Sequence, residues 1–327
     1  MQERFRRRIF AGYILHHRVN NEDLTPCRPF FYEKLHKRIE GLSMAKAILE
    51  INYWCAEEAT YRTTDDRTAS AECVYRSAYG RCGEESTFAV SVFRSVGIPA
   101  RQVYVPLWSH CDDNHAWVEV WSDGTWKFLG ACEPEEVLNK GWFTNASSRA
   151  MMVHSRWLLP VRPQEEQVGR TGMALVANQL KTYAKTTTVE VTVLNVDSTP
   201  ASGAEIRFEV LNYAEFGEIA CARADAKGKK VLETGLGTLQ VTAYKDGAYA
   251  EQLVDVAKQH SCILRLGQTD CQPDAWTEMI VTAPKDSPVN RCVQPEEEIL
   301  FGREKSRKAT EKTHGKRKRL FMMKRWR

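Results

Sequence analysis

The chain has 327 residues, a hydrophobic fraction of 43% and a formal net charge of +4. This length predicts two domains, and the hydrophobic fraction is that of an ordinary globular protein. No apolar run approaches the length of a membrane span. The small positive charge is concentrated in the last residues and does not indicate nucleic-acid binding. Ten cysteines without a C-x-x-C pair argue against a zinc site and are too sparse for a disulfide scaffold.

The cysteines are interpreted mostly as buried thiols of a reducing compartment, although their even number permits disulfides. Residues 1–19 are basic, and three consecutive arginines and the pair His16-His17 interrupt any apolar core, so they form a poor signal peptide. We therefore expect a cytoplasmic location for the chain as given, and an extracytoplasmic one if an upstream segment precedes it. The sequence predicts no oligomeric state.

Residues 1–45 are expected to form helices that pack on a core domain. Apolar residues at helical spacing predict a helix over residues 45–61. The polar loop at residues 64–68 has two interpretations, the lining of a substrate cleft and a self-satisfied Asp/Arg turn. The turn is favoured.

Cys82 is predicted to open a helix. Apolar residues after it follow helical spacing: Ala89, Val92, Phe93 and Val96. Gly97 and Pro99 then end the helix. The dipole and free N–H groups at a helix start favour a thiolate and can hold an oxyanion, although Glu84 and Glu85 would raise the thiol pKa somewhat. Considered alone, Cys82 could equally be a buried structural cysteine.

His115 is predicted to lie on a strand. Alternate residues share one face: His115, Trp117, Glu119 and Trp121. The dipeptide Asp123-Gly124 indicates a two-residue hairpin loop. That loop would pair Trp121 with Trp126, Glu119 with Phe128, and Trp117 with Gly130. His115 would then face Cys132. A histidine on a rigid strand suits the base that activates a thiol nucleophile.

Three fragments together resemble the transglutaminase-like superfamily, whose core has a papain-like fold: residues 79–86, 96–101 and 115–120. The resemblance is closest to bacterial domains of that group. Residues 126–133, with Gly141-Trp142, are also similar to eukaryotic peptide N-glycanases. The similarity covers roughly residues 40–155 and implies that Cys82 is the nucleophile and His115 the base. The implied fold class is α+β, with a cysteine-bearing helix packed on an antiparallel sheet.

The third catalytic residue departs from the superfamily pattern. The pattern places an Asp four residues after the tryptophan of the second hairpin strand, where this chain has Gly130. Glu133 is the first candidate, if a bulge at Gly130 swings it inward. The others are Asp113 and a Cys–His dyad assisted by water or a backbone carbonyl. The predicted catalytic set is therefore Cys82, His115 and Glu133.

The resemblance implies thiol acyl transfer on amide bonds of peptides, proteins or glycopeptides, with no metal or organic cofactor. Hydrolysis, as in a peptidase or amidase, is favoured over crosslinking. The alternative is a non-catalytic protein- or glycan-binding module on the same core. The missing Asp supports that alternative, whereas the presence of both Cys82 and His115 opposes it.

The rest of the chain predicts an accessory domain and a tail. From residue 187 the hydrophobic period changes to two, and turn signals separate short strands, which indicates a small β-sandwich that resembles prealbumin-like or carboxypeptidase-regulatory-like domains. The predicted divisions are a catalytic domain at 1–155, a linker with a short helix at 156–186 (the helix at 172–184), the sandwich at 187–268 and a basic tail at 269–327. The tail is expected to be extended and solvated rather than a nuclear or nucleic-acid motif.

Overall fold

A computed structural model of the chain describes residues 7–64, 67–159, 163–267, 278–287 and 296–306. The chain divides into two compact units. The first comprises Met1–Gln102, Ala116–Trp142 and Arg291–Arg327, and the second comprises Val103–His115 and Phe143–Asn290. No helix in the described ranges is long and apolar enough to cross a membrane.

The described part of the first unit includes the α-helices α1 (Arg28–Ile39), α2 (Met44–Glu58), α3 (Ala71–Ser77) and α4 (Cys82–Ser95). A π-helical segment, Ala11–Leu15, precedes them. The helix predicted over residues 45–61 is α2; the Ser43 side chain caps its start, and it ends at Glu58 because Ala59 is extended. Next, β1 (Thr60–Tyr61) pairs in parallel with β2 (Tyr79–Gly80). The helices share a core whose largest fully buried side chains include Phe31, Leu35, Ile48, Phe88 and Phe93.

The predicted hairpin is β4 (His115–Ser122) with β5 (Thr125–Leu129). Its register pairs Trp121 with Trp126 and Glu119 with Phe128, as predicted. Both loop residues have positive φ, 53° at Asp123 and 81° at Gly124, which is the conformation of a type I′ turn. The paired strand ends at Leu129 opposite Val118, one residue short of Gly130.

In the second unit, β6 (His154–Trp157), β7 (Gln167–Thr171) and β8 (Ala174–Asn178) continue a sheet from the last residues of β3 (Ala100–Val105), in the order β3-β6-β8-β7. The short helix predicted over residues 172–184 is therefore wrong. Gly172, at φ +54°, forms the turn between two antiparallel strands, and the only helical residues in this described stretch form the 3₁₀ turn Leu180–Thr182. Cross-strand pairing outweighed a weak local helical pattern here.

The second unit also contains the predicted sandwich. One sheet has the order β11-β10-β13-β14 and the other the order β12-β9-β15. The strands are β9 (Thr186–Leu194), β10 (Glu205–Asn212), β11 (Glu215–Arg223), β12 (Lys229–Gly235), β13 (Thr238–Lys245), β14 (Ala248–Asp255) and β15 (Ser261–Arg265). Alternate residues of both sheets meet in one buried core that includes Val191, Phe208, Leu232 and Val241. The predicted α+β class with an all-β sandwich is confirmed.

The predicted extended tail differs from the structure at residues 296–306, whereas the described residues 278–287 form neither helix nor strand. Residues 296–306 are helical and belong to the first unit. The Tyr53 hydroxyl donates to the Gly302 carbonyl at 3.2 Å, and Lys305 pairs with the buried carboxylate of Glu50. These contacts fix the segment against α2. The basic residues 307–327, on which the tail prediction mainly rested, lie outside the described residues.

Candidate active site

Cys82 is the first residue of α4, as predicted. Glu84, buried in the first turn, accepts a hydrogen bond from the backbone N–H of Arg81 at 3.1 Å, which caps the helix. Glu84 also accepts from the Thr64 hydroxyl at 2.7 Å and from the Ala69 N–H at 3.0 Å. The described part of the loop at residues 64–68 is thus anchored on Glu84, in line with a structural turn.

The Cys82 sulfur interacts with two backbone N–H groups, those of Gly83 and Ala116. Both favour a thiolate, but burial has the larger effect and raises the pKa of Cys82. A helix start by itself predicts a lowered pKa for Cys82. The sequence does not reveal how little water reaches the sulfur, so the raised pKa was not expected. Gln102 supports this turn of α4 by donating to the Gly83 carbonyl at 2.9 Å.

His115 belongs to the second unit and is the first residue of β4. Only 6% of its surface is exposed, and its ring centroid lies 5.1 Å from that of Phe143. Burial lowers the pKa of His115 to about 4. The imidazole is therefore neutral at neutral pH, which is the form that can accept a proton.

Glu133 reaches its position through a turn rather than through a strand bulge. The Glu133 N–H donates to the Gly130 carbonyl at 3.4 Å, and Cys132 between them has φ 57°. The Glu133 carboxylate then folds over Gly130: a β-carbon at residue 130 would lie 2.7 Å from its Oε2. The carboxylate thus occupies the space that a side chain at residue 130 would need.

Trp142 and Asn52 hold this turn and its carboxylate. The Trp142 indole N–H lies 3.2 Å from Oε1 and 3.0 Å from Oε2 of Glu133. The buried amide of Asn52, on α2, donates to the Gly130 carbonyl at 2.8 Å and accepts from the Cys132 N–H at 3.1 Å. Burial raises the pKa of Glu133, and the bond from Trp142 opposes that shift.

Sequence reasoning had missed three of the residues that support the site: Asn52, Gln102 and Trp142. Trp142 is part of the motif resemblance but was given no role in the site. The signal for Asn52 is a polar residue within the apolar pattern of α2. Gln102 carried no local signal, because its partners are about twenty residues away in sequence. The Cys82 sulfur contacts the backbone N–H of Ala116, the residue after His115. The Glu133 carboxylate lies against Gly130. The joint action of Cys82, His115 and Glu133 stays a prediction.

Residues 33–131 match the sequence model of the transglutaminase-like superfamily. This segment contains α2, α4 and the β4–β5 hairpin, so it includes Cys82 and His115. The match confirms the resemblance seen in the motifs of this segment. A comparison with curated proteins gave no match.

Solved structures show low similarity. A protein of Cytophaga hutchinsonii, provisionally described as a cysteine protease, is 15% identical with a TM-score of 0.29, over 47% of this chain and 57% of that one. A transglutaminase is 19% identical with a TM-score of 0.28, over 35% and 34%. Red sea bream transglutaminase is 11% identical with a TM-score of 0.27, over 75% and 56%. The chain spans less than two thirds of each of these proteins. Scores this low carry no weight for function.

Proposed function

We propose that this chain is a cysteine-dependent enzyme that acts on amide bonds of peptides, proteins or glycopeptides, with Cys82 as the nucleophile. The observation that carries the proposal is the position of the Cys82 sulfur, which lies at the start of α4 against the N–H groups of Gly83 and Ala116. Ala116 directly follows His115, the base of the superfamily pattern. Backbone N–H groups so placed stabilise the negative charge that forms on the sulfur when the thiol loses its proton.

In this mechanism the resting pair is a neutral thiol and a neutral imidazole. Burial raises the pKa of Cys82 and lowers that of His115, so both shifts disfavour a resting thiolate–imidazolium pair. His115 accepts the thiol proton as the sulfur attacks the amide carbonyl. The N–H of Cys82 and a second donor then stabilise the oxyanion, an effect typically worth about 3 kcal/mol per donor.

The first half of the reaction ends with a thioester, and the second half resolves it. His115 returns the proton to the leaving amine or ammonia, and the acyl group remains on Cys82. Water then gives hydrolysis, and a primary amine gives crosslinking; we favour hydrolysis. Glu133 takes the role of the superfamily's Asp by orienting the imidazole and stabilising its protonated form.

The proposal is tested with the full chain and dimethylated casein, in the presence and absence of a fluorescent primary amine. We expect ammonia or peptide release, and a mass increase on Cys82 alone after acid quench, which identifies the thioester. Amine incorporation greater than hydrolysis would reverse our preference between the two outcomes. Cys82→Ala should abolish turnover, whereas Cys73→Ala, which removes an exposed thiol, should not.

The binding-module alternative predicts other results. Cys82→Ala would then cost about 2–5 kcal/mol of unfolding free energy, as for a buried core side chain. The wild-type chain would also show no thioester. A folded, inactive Cys82→Ala variant of an active wild type excludes this alternative.

The pH dependence tests the role of His115. Its pKa of about 4 means that the ring is neutral above that pH and protonated below it. Activity, measured as kcat/KM, should therefore be lost as the pH falls through about 4, because protonated His115 cannot accept the thiol proton. His115→Gln should be inactive at every pH, and residual activity with an unchanged acid limb would contradict the assignment.

A further inference from the structure

Glu85 is a buried carboxyl group on the same face of α4 as Cys82. It lies three residues after Cys82, which places the two side chains on neighbouring positions of one helix face. Only 2% of its surface is exposed. Across the described residues, no lysine, arginine or histidine forms an ion pair with it. A buried carboxylate without a cation is strongly disfavoured relative to the neutral acid.

The titratable groups around Glu85 are themselves acids. Glu84 lies in the first turn of α4, two residues after Cys82. Glu133 and Cys132 lie on the turn that Asn52 holds. The thiol of Cys55, on α2, forms a hydrogen bond with the thiol of Cys132. The charge of Arg81 acts on Cys82 but is absent among the groups that shift Glu85. Nothing in this set stabilises a second negative charge.

The contacts of Glu85 and Glu133 therefore favour different protonation states of the two carboxyl groups. Burial, followed by repulsion from Glu133 and Glu84, raises the pKa of Glu85 to about 8. Burial raises the pKa of Glu133 as well, but the hydrogen bond from Trp142 favours its ionised form. When two acidic groups share a site, one of them keeps its proton, and these contacts assign that proton to Glu85.

We propose that Glu85 is a positioning residue that holds a proton at neutral pH, so that Glu133 is the anionic member of the pair and Glu85 places no negative charge beside Cys82. This inference rests on the proposed function, because it assigns Glu133 a role in the reaction. An ionised Glu85 would oppose thiolate formation at Cys82 and repel the Glu133 carboxylate. The enzyme is active only while Glu85 is protonated.

The first test compares the pH dependence of kcat/KM for the wild type and Glu85→Gln, which keeps a neutral side chain of the same shape. The wild type should lose activity as the pH rises through about 8, roughly tenfold for each further pH unit. The glutamine variant should lack this limb and keep the acid limb. Glu135→Gln is the control, because Glu135 is partly exposed and pairs with Lys140 at 2.8 Å; it should keep both limbs. Identical alkaline limbs in the wild type and Glu85→Gln would overturn the proposal.

The second test needs no substrate and separates this inference from the proposed function. The folded state binds the Glu85 proton more tightly than the unfolded state, in which the pKa returns to about 4.5. Its stabilisation is complete below pH 4.5 and is lost as the pH rises through about 8. The Tm of Glu85→Gln should therefore rise relative to wild type between these values, whether or not the chain turns over. A constant Tm difference would refute a protonated Glu85, whereas absent turnover with a rising difference would refute only the enzymatic role.

Discussion

Gly130 leaves room for the carboxylate of Glu133. A β-carbon at residue 130 would lie 2.7 Å from Oε2 and 2.9 Å from Cβ of Glu133, closer than atoms can approach without movement. The chain thus has a glycine at the position of the superfamily's Asp, and a carboxylate from three residues later fills the space. In the proposed mechanism Glu133 supplies the third catalytic group from this turn, so the turn must be held firmly.

The positions of Gly130 and Glu133 predict what happens when the carboxylate is moved to residue 130. Gly130→Asp alone should lower activity, because the new side chain collides with Glu133. Glu133→Gly alone should lower it too, by removing the carboxylate. The double variant Gly130→Asp/Glu133→Gly returns an acid to the pattern position and removes the collision.

Activity of the double variant, measured as kcat/KM, should exceed that of Glu133→Gly by about tenfold or more, since a misoriented imidazole costs several orders of magnitude in triad enzymes. Glu133→Gln serves as the reference for loss of charge without loss of shape. If Glu133→Gln is as active as wild type, the carboxylate has no role and the dyad interpretation of the site gains support.

At the scale of elements, the start of α4 and the loop before it form one hydrogen-bonded unit. Glu84 connects them: its carboxylate accepts from the Arg81 N–H within the helix start and from Thr64 and Ala69 in the loop. The side chain is 1% exposed, so water cannot replace these bonds when they are lost. The cap therefore sets both the helix start that positions Cys82 and the path of the preceding loop.

Glu84→Ala should lower the unfolding free energy by about 2–3 kcal/mol, because it removes a cap and leaves buried donors without acceptors. Activity should fall more than stability alone explains, since Cys82 is no longer held at a formed helix start. Urea unfolding and kcat/KM measured on the same preparations test this. Ser43→Ala removes the cap of α2 instead; it should cost about 1 kcal/mol without a loss of kcat/KM. Equal kinetic effects in the two variants would contradict the link between this cap and Cys82.

At the scale of the whole molecule, the first unit joins two segments that are far apart in the sequence, α2 and residues 296–306. Residues 296–306 return to α2, where Lys46 pairs with Glu297 at 2.9 Å and Tyr53 bonds to Gly302. Gly302 allows this approach, because a β-carbon there would lie only 1.9 Å from the Glu136 carbonyl oxygen. This helix therefore contributes to the stability of the unit that bears Cys82, although it lies more than 200 residues later in the chain.

Gly302→Val should displace residues 296–306, lowering the unfolding free energy by about 1–3 kcal/mol as an overpacked substitution and speeding proteolysis within this segment. Limited proteolysis with mass mapping, together with urea unfolding, measures both effects. Gly169→Ala is the matched control, since its β-carbon would meet Val176 at an ordinary 3.8 Å. Unchanged cleavage in Gly302→Val would show that the segment does not depend on this contact.

The sequence by itself determined the features that depend on neighbouring residues. Periodicity and turn residues gave the helix that Cys82 opens, the hairpin register around Asp123-Gly124 and the α+β class with its sandwich, because local backbone preference and hydrophobic pattern act together there. Motif spacing gave the superfamily, which the match at residues 33–131 confirms.

Only the tertiary structure decided the features that depend on distant residues and on the exclusion of water. The pKa of Cys82 is raised rather than lowered because burial outweighs the two N–H groups at the sulfur. The turn at Gly130 is held by Asn52, about eighty residues earlier. Residues 296–306 of the predicted tail form a helix that has hydrogen-bond and ion-pair partners on α2. Desolvation and long-range contacts leave no periodic trace in a sequence, so these features appear only once the chain is folded.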